Sequence, residues 1–144
     1  MRRWPGRALL LPLLGLLAAC GDDNTTSTPT GPTAPPTVLT ETFSGTLTRN
    51  GAYTHPFAVT DGGDVSVFLI TSIDPAHPDQ TVPLGVSLGT WNGVSCAIVI
   101  ANDNVSQGSN ISGRATAAGN LCVRVYDVGF VPGTASYELL IDHY

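Results

Sequence analysis

Lysine is absent from this sequence, and charge of either sign is sparse, with charged residues making up 12% of its 144 positions. The basic residues are six arginines, and three of them, Arg2, Arg3 and Arg7, fall within the first seven positions. Beyond residue 20, three arginines face eleven carboxylates, a formal net charge of −8. A lysine-free, acidic surface offers no footprint for a phosphate backbone, which argues against nucleic acid as a partner. The three histidines, His55, His77 and His143, show no H-x-x-x-H or similar metal spacing, and the three cysteines show no C-x-x-C redox spacing. Catalytic motifs are equally scarce. "Gly93-Val94-Ser95-Cys96-Ala97" approaches a G-x-S-x-G elbow, but a strand-like run follows it where that motif needs a helix. With so few acids, any glycosidase-type carboxylate pair would be an arbitrary choice. The expectation is a protein that is not an enzyme.

What the chain does have begins with an export signal. Behind the three arginines, "ALLLPLLGLL" from Ala8 to Leu17 forms a short apolar segment. Ten residues cover about 15 Å as a helix, half of a bilayer's roughly 30 Å hydrocarbon core. The segment engages export machinery but is too short for a stable span. It closes on "Leu17-Ala18-Ala19-Cys20", which resembles the lipobox of bacterial lipoproteins. That resemblance implies cleavage before Cys20 and lipidation of its thiol by diacylglycerol, with palmitate-type acylation of the new amino terminus. Acyl burial adds roughly 0.8 kcal/mol per CH₂, so several chains hold a protein on a membrane where one holds it weakly. Gly21 at the position after the cysteine is compatible with outer-membrane sorting in a Gram-negative host. The paired arginines lack the rest of a twin-arginine motif.

The following stretch, "GDDNTTSTPTGPTAPPT" from Gly21 to Thr37, contains no aromatic or large aliphatic residue. Such a segment cannot offset the entropy of ordering, and its prolines favour extended conformations with a reach of about 50 Å. The sequence thus divides into a signal peptide (1–19), a lipid-anchored Thr/Pro tether (20–38) and a folded domain (39–144). The tether's Ser and Thr hydroxyls are of the kind to which O-linked sugars attach, which composition alone does not show.

From Val38 onward no window shows sustained helical spacing, and short β-type runs alternate with turns. "ETFSGTL" and "YTHPFAV" read as strands joined by "RNG", an Asn-Gly hairpin signal. Pro56 marks the second as an edge or bulge. "DVSVFLITSI" reads as a central strand, "DPAHPDQTV" as a loop, "PLGVSLGTW" as a strand, and "CAIVIA" as a strand buried on both sides. The polar loop "NDNVSQGSN" precedes "ISGRATA", and alternation is clear in "NLCVRVYDV" and "ASYELLIDHY". Seven or eight strands in roughly 105 residues predict a single all-β antiparallel β-sandwich.

The ending, "AAGNLCVRVYDVG" then "ASYELLIDHY", resembles the close of bacterial pre-peptidase C-terminal (PPC-like) domains, and "FSGTLTRNGAYTHPFAVTDGGDVSVFL" agrees with their opening. The resemblance, over residues 41–144, implies a jelly-roll-like sandwich used as a noncatalytic accessory module beside secreted hydrolases. Residues 1–144 depart from that pattern, since no enzyme is expected among them.

Lipidation of Cys20 leaves Cys96 and Cys122 for each other, and an exported protein matures where disulfides persist. Cys122 alternates with Leu121 and Val123, so it is expected on the face opposite the core stripe, bridging neighbouring strands or lying under a loop. Trp91, Tyr126 and Phe130 are candidate stacking platforms for a ligand such as a sugar. No cofactor is called for. The oxygen-rich turns around Asp61, Asp64 and Asp103 are weak calcium candidates, since no EF-hand or related spacing accompanies them. The sequence therefore points to a cell-envelope lipoprotein presenting a noncatalytic β-sandwich to an envelope polymer, glycan or protein partner. The alternatives are a structural, envelope-maintenance lipoprotein without a specific ligand and an accessory module to a secreted hydrolase.

Overall fold

The computed structural model describes residues 34–144. The signal peptide, Cys20 and the tether as far as residue 33 lie outside the described residues. Nine strands follow one another: β1 (Leu39–Thr48), β2 (Ala52–Val59), β3 (Gly63–Asp74), β4 (His77–Thr81), β5 (Leu84–Trp91), β6 (Cys96–Val105), β7 (Asn110–Ala115), β8 (Gly119–Tyr126) and β9 (Thr134–His143). All pairings are antiparallel. One sheet runs β1-β9-β3, with β7 and β4 sharing the far edge of the long β3, and the other runs β2-β8-β5-β6. Leaving β4 aside, eight strands in this order make a jelly roll, the architecture expected from the sequence.

Period-two alternation builds the core. Val65, Val67 and Leu69 of β3 and Tyr137, Leu139 and Ile141 of β9 point inward from the first sheet. Val123 and Val125 of β8 and Leu84, Val86 and Leu88 of β5 meet them from the second. The outward positions of β1 are all hydroxyl residues, Thr40, Thr42, Ser44, Thr46 and Thr48, so one face is wet and the other dry.

Three local expectations are corrected. The Asn-Gly turn forms, with Asn50 at φ 54° and the Gly51 N–H donating to the Thr48 carbonyl at 2.8 Å. It does not close a hairpin, because β1 pairs with β9 and β2 with β8, so the turn carries the chain from one sheet to the other. The segment read as a loop after Asp74 contains β4, a fully exposed strand held to β3 across a bulge. Most consequentially, β6 is not buried on both sides. It is the free edge of the second sheet, it continues through Asn102–Asn104 in place of a loop, and Ile98 and Val99 are 48% and 72% exposed.

Cys96 and Cys122 form a disulfide, with Cα atoms 5.8 Å apart. Cys122 does point away from the core stripe, but the bond does not join strands that pair with each other. It links β6 to β8 across the strand between them, β5, at Gly89, whose register partners are Cys122 on one side and Ile98 on the other. The register of β5 against β6 shifts between Leu88 and Gly89, a bulge at the crossing. A side chain at Gly89 would collide with the Ala97 carbonyl, so only glycine leaves room for the crossing.

Removing the bridge frees a loop of 26 residues, for which the chain-entropy model gives a loss of about 3 kcal/mol. The Cys96→Ser/Cys122→Ser variant is expected to lose about that much in denaturant unfolding. Gly89→Val is expected to leave alkylatable thiols at both cysteines on non-reducing mass spectrometry. A fully oxidised Gly89→Val protein of undiminished stability would contradict the crossing.

Candidate functional site

The outer face of the β2-β8-β5-β6 sheet gathers two of the three aromatic candidates. Because Val123 and Val125 turn inward, Cys122, Arg124 and Tyr126 turn outward from β8. Register sets each of them beside a small residue of β5: Cys122 opposite Gly89, Arg124 opposite Ser87, and Tyr126 opposite Gly85. The Tyr126 ring covers Gly85 so closely that a Cβ there would lie 2.5 Å from its Cζ. Beyond Gly85 the Tyr126 hydroxyl donates to a carboxylate oxygen of Asp103 on β6. Burial, together with that hydrogen bond and the Asp103 charge, pushes the Tyr126 phenol up to about 12, with Arg124 acting weakly the other way. The phenol therefore stays protonated, a donor, throughout the neutral range. Two ties thus cross β5, the disulfide at Gly89 and the Tyr126–Asp103 bond at Gly85.

Between those ties lies Arg124. Its guanidinium carbon sits 5.8 Å from the Tyr126 ring centroid, within reach of a cation–π contact. The chain's other described arginines are engaged: Arg114 bonds Asp64 at 2.9 Å, and Arg49 donates to the Val131 and Pro132 carbonyls. Among the described residues Arg124 has neither an ion pair nor a side-chain hydrogen bond.

Arg124 also lines a cleft of about 330 Å³ with Thr54 and Ala52 of β2 and with Trp91, Val94, Ser95 and Cys96 of the β5–β6 turn. That turn is built locally. The Asn92 side-chain oxygen accepts the Val94 and Ser95 N–H groups at 2.9 and 2.8 Å, and Gly93 supplies a φ of +95°. The result displays Val94 at 87% exposure and keeps Trp91 half-buried against the cleft. Ser95, the residue of the elbow-like motif, has its hydroxyl bonded by the Asn92 amide at 3.1 Å, not by a base.

The remaining candidates are distributed elsewhere. Phe130, 53% exposed, sits in the β8–β9 loop and is not among the residues lining the Trp91 cleft. Asp64 is committed to Arg114 and Asp103 to Tyr126, and Asp61 is exposed in the β2–β3 turn. Among the described residues no three or more His, Cys, Asp or Glu side chains converge as a metal site. Each histidine has its own partner. His55 bonds the Tyr137 hydroxyl at 2.9 Å, His77 bonds Asp74 at 2.9 Å, and the buried His143 bonds Glu41 at 2.9 Å and packs 5.2 Å from Phe57. His55 is further enclosed by Phe43 and Tyr53, at centroid distances of 5.0 and 5.6 Å, and burial holds its pKa below 6.5.

What sequence reading missed is Arg124. Its signal was present in part, since it alternates with Val123 and Val125. Its lack of a partner depends on which strands flank β8.

No family model matches the sequence, and no curated protein does. Among solved structures the chain is similar to Aeromonas hydrophila PliG, a periplasmic lysozyme inhibitor of g-type lysozyme. The TM-score is 0.50 at 13% identity, over 71% of this chain and 83% of that one. A weaker likeness, TM-score 0.38 at 16% identity over 74% of this chain and 88% of that one, is to a protein of the disulfide-linked Bacillus endospore appendages. At such identities the likeness to PliG is one of fold.

The loop bearing Phe130 is fixed by Asp127. One oxygen of that carboxylate accepts the N–H groups of Gly129, Phe130 and Val131 at 2.7, 2.9 and 3.0 Å, and the other accepts the Asn50 N–H at 2.8 Å. Burial pushes the Asp127 carboxyl up, but the four backbone donors outweigh it and hold the pKa below 3.8. A depressed carboxylate contributes stability that is present above the unfolded value and lost as pH falls through the folded one. Asp127→Asn is expected to melt at lower temperature at pH 7, with the deficit shrinking toward pH 2. A constant difference across that range would contradict the assignment.

Proposed function

We propose that this chain is a cell-envelope lipoprotein, anchored through lipidated Cys20 and presenting a noncatalytic β-sandwich that binds an envelope polymer, glycan or protein. The observation that carries the binding half is the outer-face cleft. Its lining combines an indole with the one guanidinium among the described residues that has neither an ion pair nor a side-chain hydrogen bond, its contact within the chain being the Tyr126 ring. The anchoring half rests on the short apolar leader ending in "LAAC" and on the Thr/Pro stretch behind it. The resemblance of residues 41–144 to pre-peptidase C-terminal domains supports a noncatalytic head. The shared fold with an inhibitor of lysozyme supports the same reading, being a case in which the architecture binds without catalysis.

Anchoring is tested by Cys20→Ala, which is expected to move the exported protein from the membrane to the soluble fraction. Membrane association that survives the substitution would refute lipid anchoring. Binding is tested by retention of envelope fractions on the immobilised protein. Saturable retention that falls on Trp91→Ala is expected, whereas a protein that retains nothing would favour a purely structural envelope role.

A further inference from the structure

The cleft beneath the β5–β6 turn is chemically one-sided. Arg124 contributes a guanidinium, Thr54 and Trp91 contribute a hydroxyl and an indole N–H that no described side chain or backbone group engages, and no lining residue is acidic. Ser95 lines the same space, its hydroxyl accepting from the Asn92 amide and keeping its own hydrogen to donate. Asp103, on β6 of this sheet, has a carboxylate oxygen taken up by the Tyr126 hydroxyl. A donor-rich cleft asks for acceptors, and one cation in a lining free of carboxylates fits a single anionic group, whereas the acidity of the chain as a whole opposes a long polyanion. Guanidinium matches carboxylate in a planar, two-toothed geometry.

The shape narrows the choice further. At about 330 Å³ the cleft lies at the small end of ligand pockets, and the half-buried Trp91 is among the residues lining it, with Val94 and Ala52 as further apolar ones. Indole, cation and hydroxyl donors together complement a sugar ring that bears a carboxylate. The C–H face of the ring stacks on the indole, its carboxylate meets Arg124, and its hydroxyls meet Thr54 and Ser95. The cleft is also held in advance. Cys96, one of its lining residues, is bonded to Cys122, and Asn92 fixes the turn through three hydrogen bonds, so little ordering remains to be done when a ligand enters.

We infer that this cleft recognises a carboxylated saccharide, the residue class of acidic envelope glycans, with Arg124 binding the carboxylate and Trp91 the ring face. This inference rests on the partner-binding reading above and assigns it a ligand class.

Calorimetry on the exported full-length protein in detergent tests it, with an oligosaccharide of galacturonic acid as probe. The carboxyl-reduced form of the same oligosaccharide and a glutamate-rich peptide serve as comparisons. Saturable binding of the uronic-acid oligomer is expected, with at least tenfold weaker binding of the reduced oligomer and of the peptide. Arg124→Gln and Trp91→Ala should each weaken the first interaction about tenfold or more, and Phe130→Ala should leave it unchanged. Arg124 is exposed, so its substitution spares the fold, and an intact Cys96–Cys122 bridge on mass spectrometry verifies this for each variant. Equal affinity for the reduced oligomer would overturn carboxylate recognition, and preference for the peptide would overturn the saccharide. Loss of binding on Phe130→Ala with none on Trp91→Ala would overturn the cleft. Failure to bind any probe would overturn this inference alone if envelope fractions are still retained, and the partner-binding reading with it if they are not.

Discussion

The outward row of β5 has almost no side chains, and the second sheet is organised around that gap. Gly85 and Gly89 leave two hollows on either side of the buried Ser87. One is filled by the Tyr126 ring and the other is crossed by the disulfide. Both ties run from β8 to β6, so the edge strand is fastened to its second neighbour as well as its first. Without the hollow at Gly89, β6 would lie flat at ordinary strand spacing and the two cysteines would be too far apart to join. The β5–β6 turn, which runs directly into Cys96, would have no fixed position over the face. Cleft, turn and edge therefore share one cause.

The same crossing tempers a hazard. β6 offers a free edge with exposed Ile98 and Val99 and no lysine or proline to discourage pairing with another chain. Its two register shifts against β5, one of them at the disulfide crossing, interrupt the flat template such an edge would offer. Elsewhere the fold places its polar groups with equal economy. The buried His143 finds Glu41, the buried Ser72 hydroxyl donates to the Val82 carbonyl, and among the described residues no buried side-chain polar atom is left without a partner. Against that background Arg124, with neither an ion pair nor a side-chain hydrogen bond among the described residues, stands out as available for something outside the chain.

Much of the architecture was readable because it rests on local periodicity. Alternation in "NLCVRVYDV" and "ASYELLIDHY" assigned inward and outward faces correctly, including the outward turn of Cys122, since side-chain direction in a strand follows from the backbone alone. Pro56 marked β2 as an edge, which it is. The errors came where the answer depended on neighbours far away in the chain. "CAIVIA" has the composition of a doubly buried strand, yet among the described residues no strand lies beyond it, and that sets its exposure. Asn50-Gly51 makes the tight turn that its residues favour, but whether such a turn closes a hairpin or changes sheets is decided by β8 and β9, some 70 to 90 residues later. β4 has no apolar residue to announce it and exists because β3 outruns β7.

By itself the sequence determined an all-β sandwich, its strand faces, and which two cysteines in the domain were available to each other, because composition, alternation and counting are properties of the chain. Only the tertiary structure decided that the bridge passes over Gly89, that Tyr126 reaches Asp103, and that Arg124 stands in a cleft with Trp91 and no carboxylate of its own. Those facts depend on strand order and register. Both are fixed by the packing of segments distant in sequence, where a shift of one residue would turn Arg124 inward and bring a valine to the surface in its place.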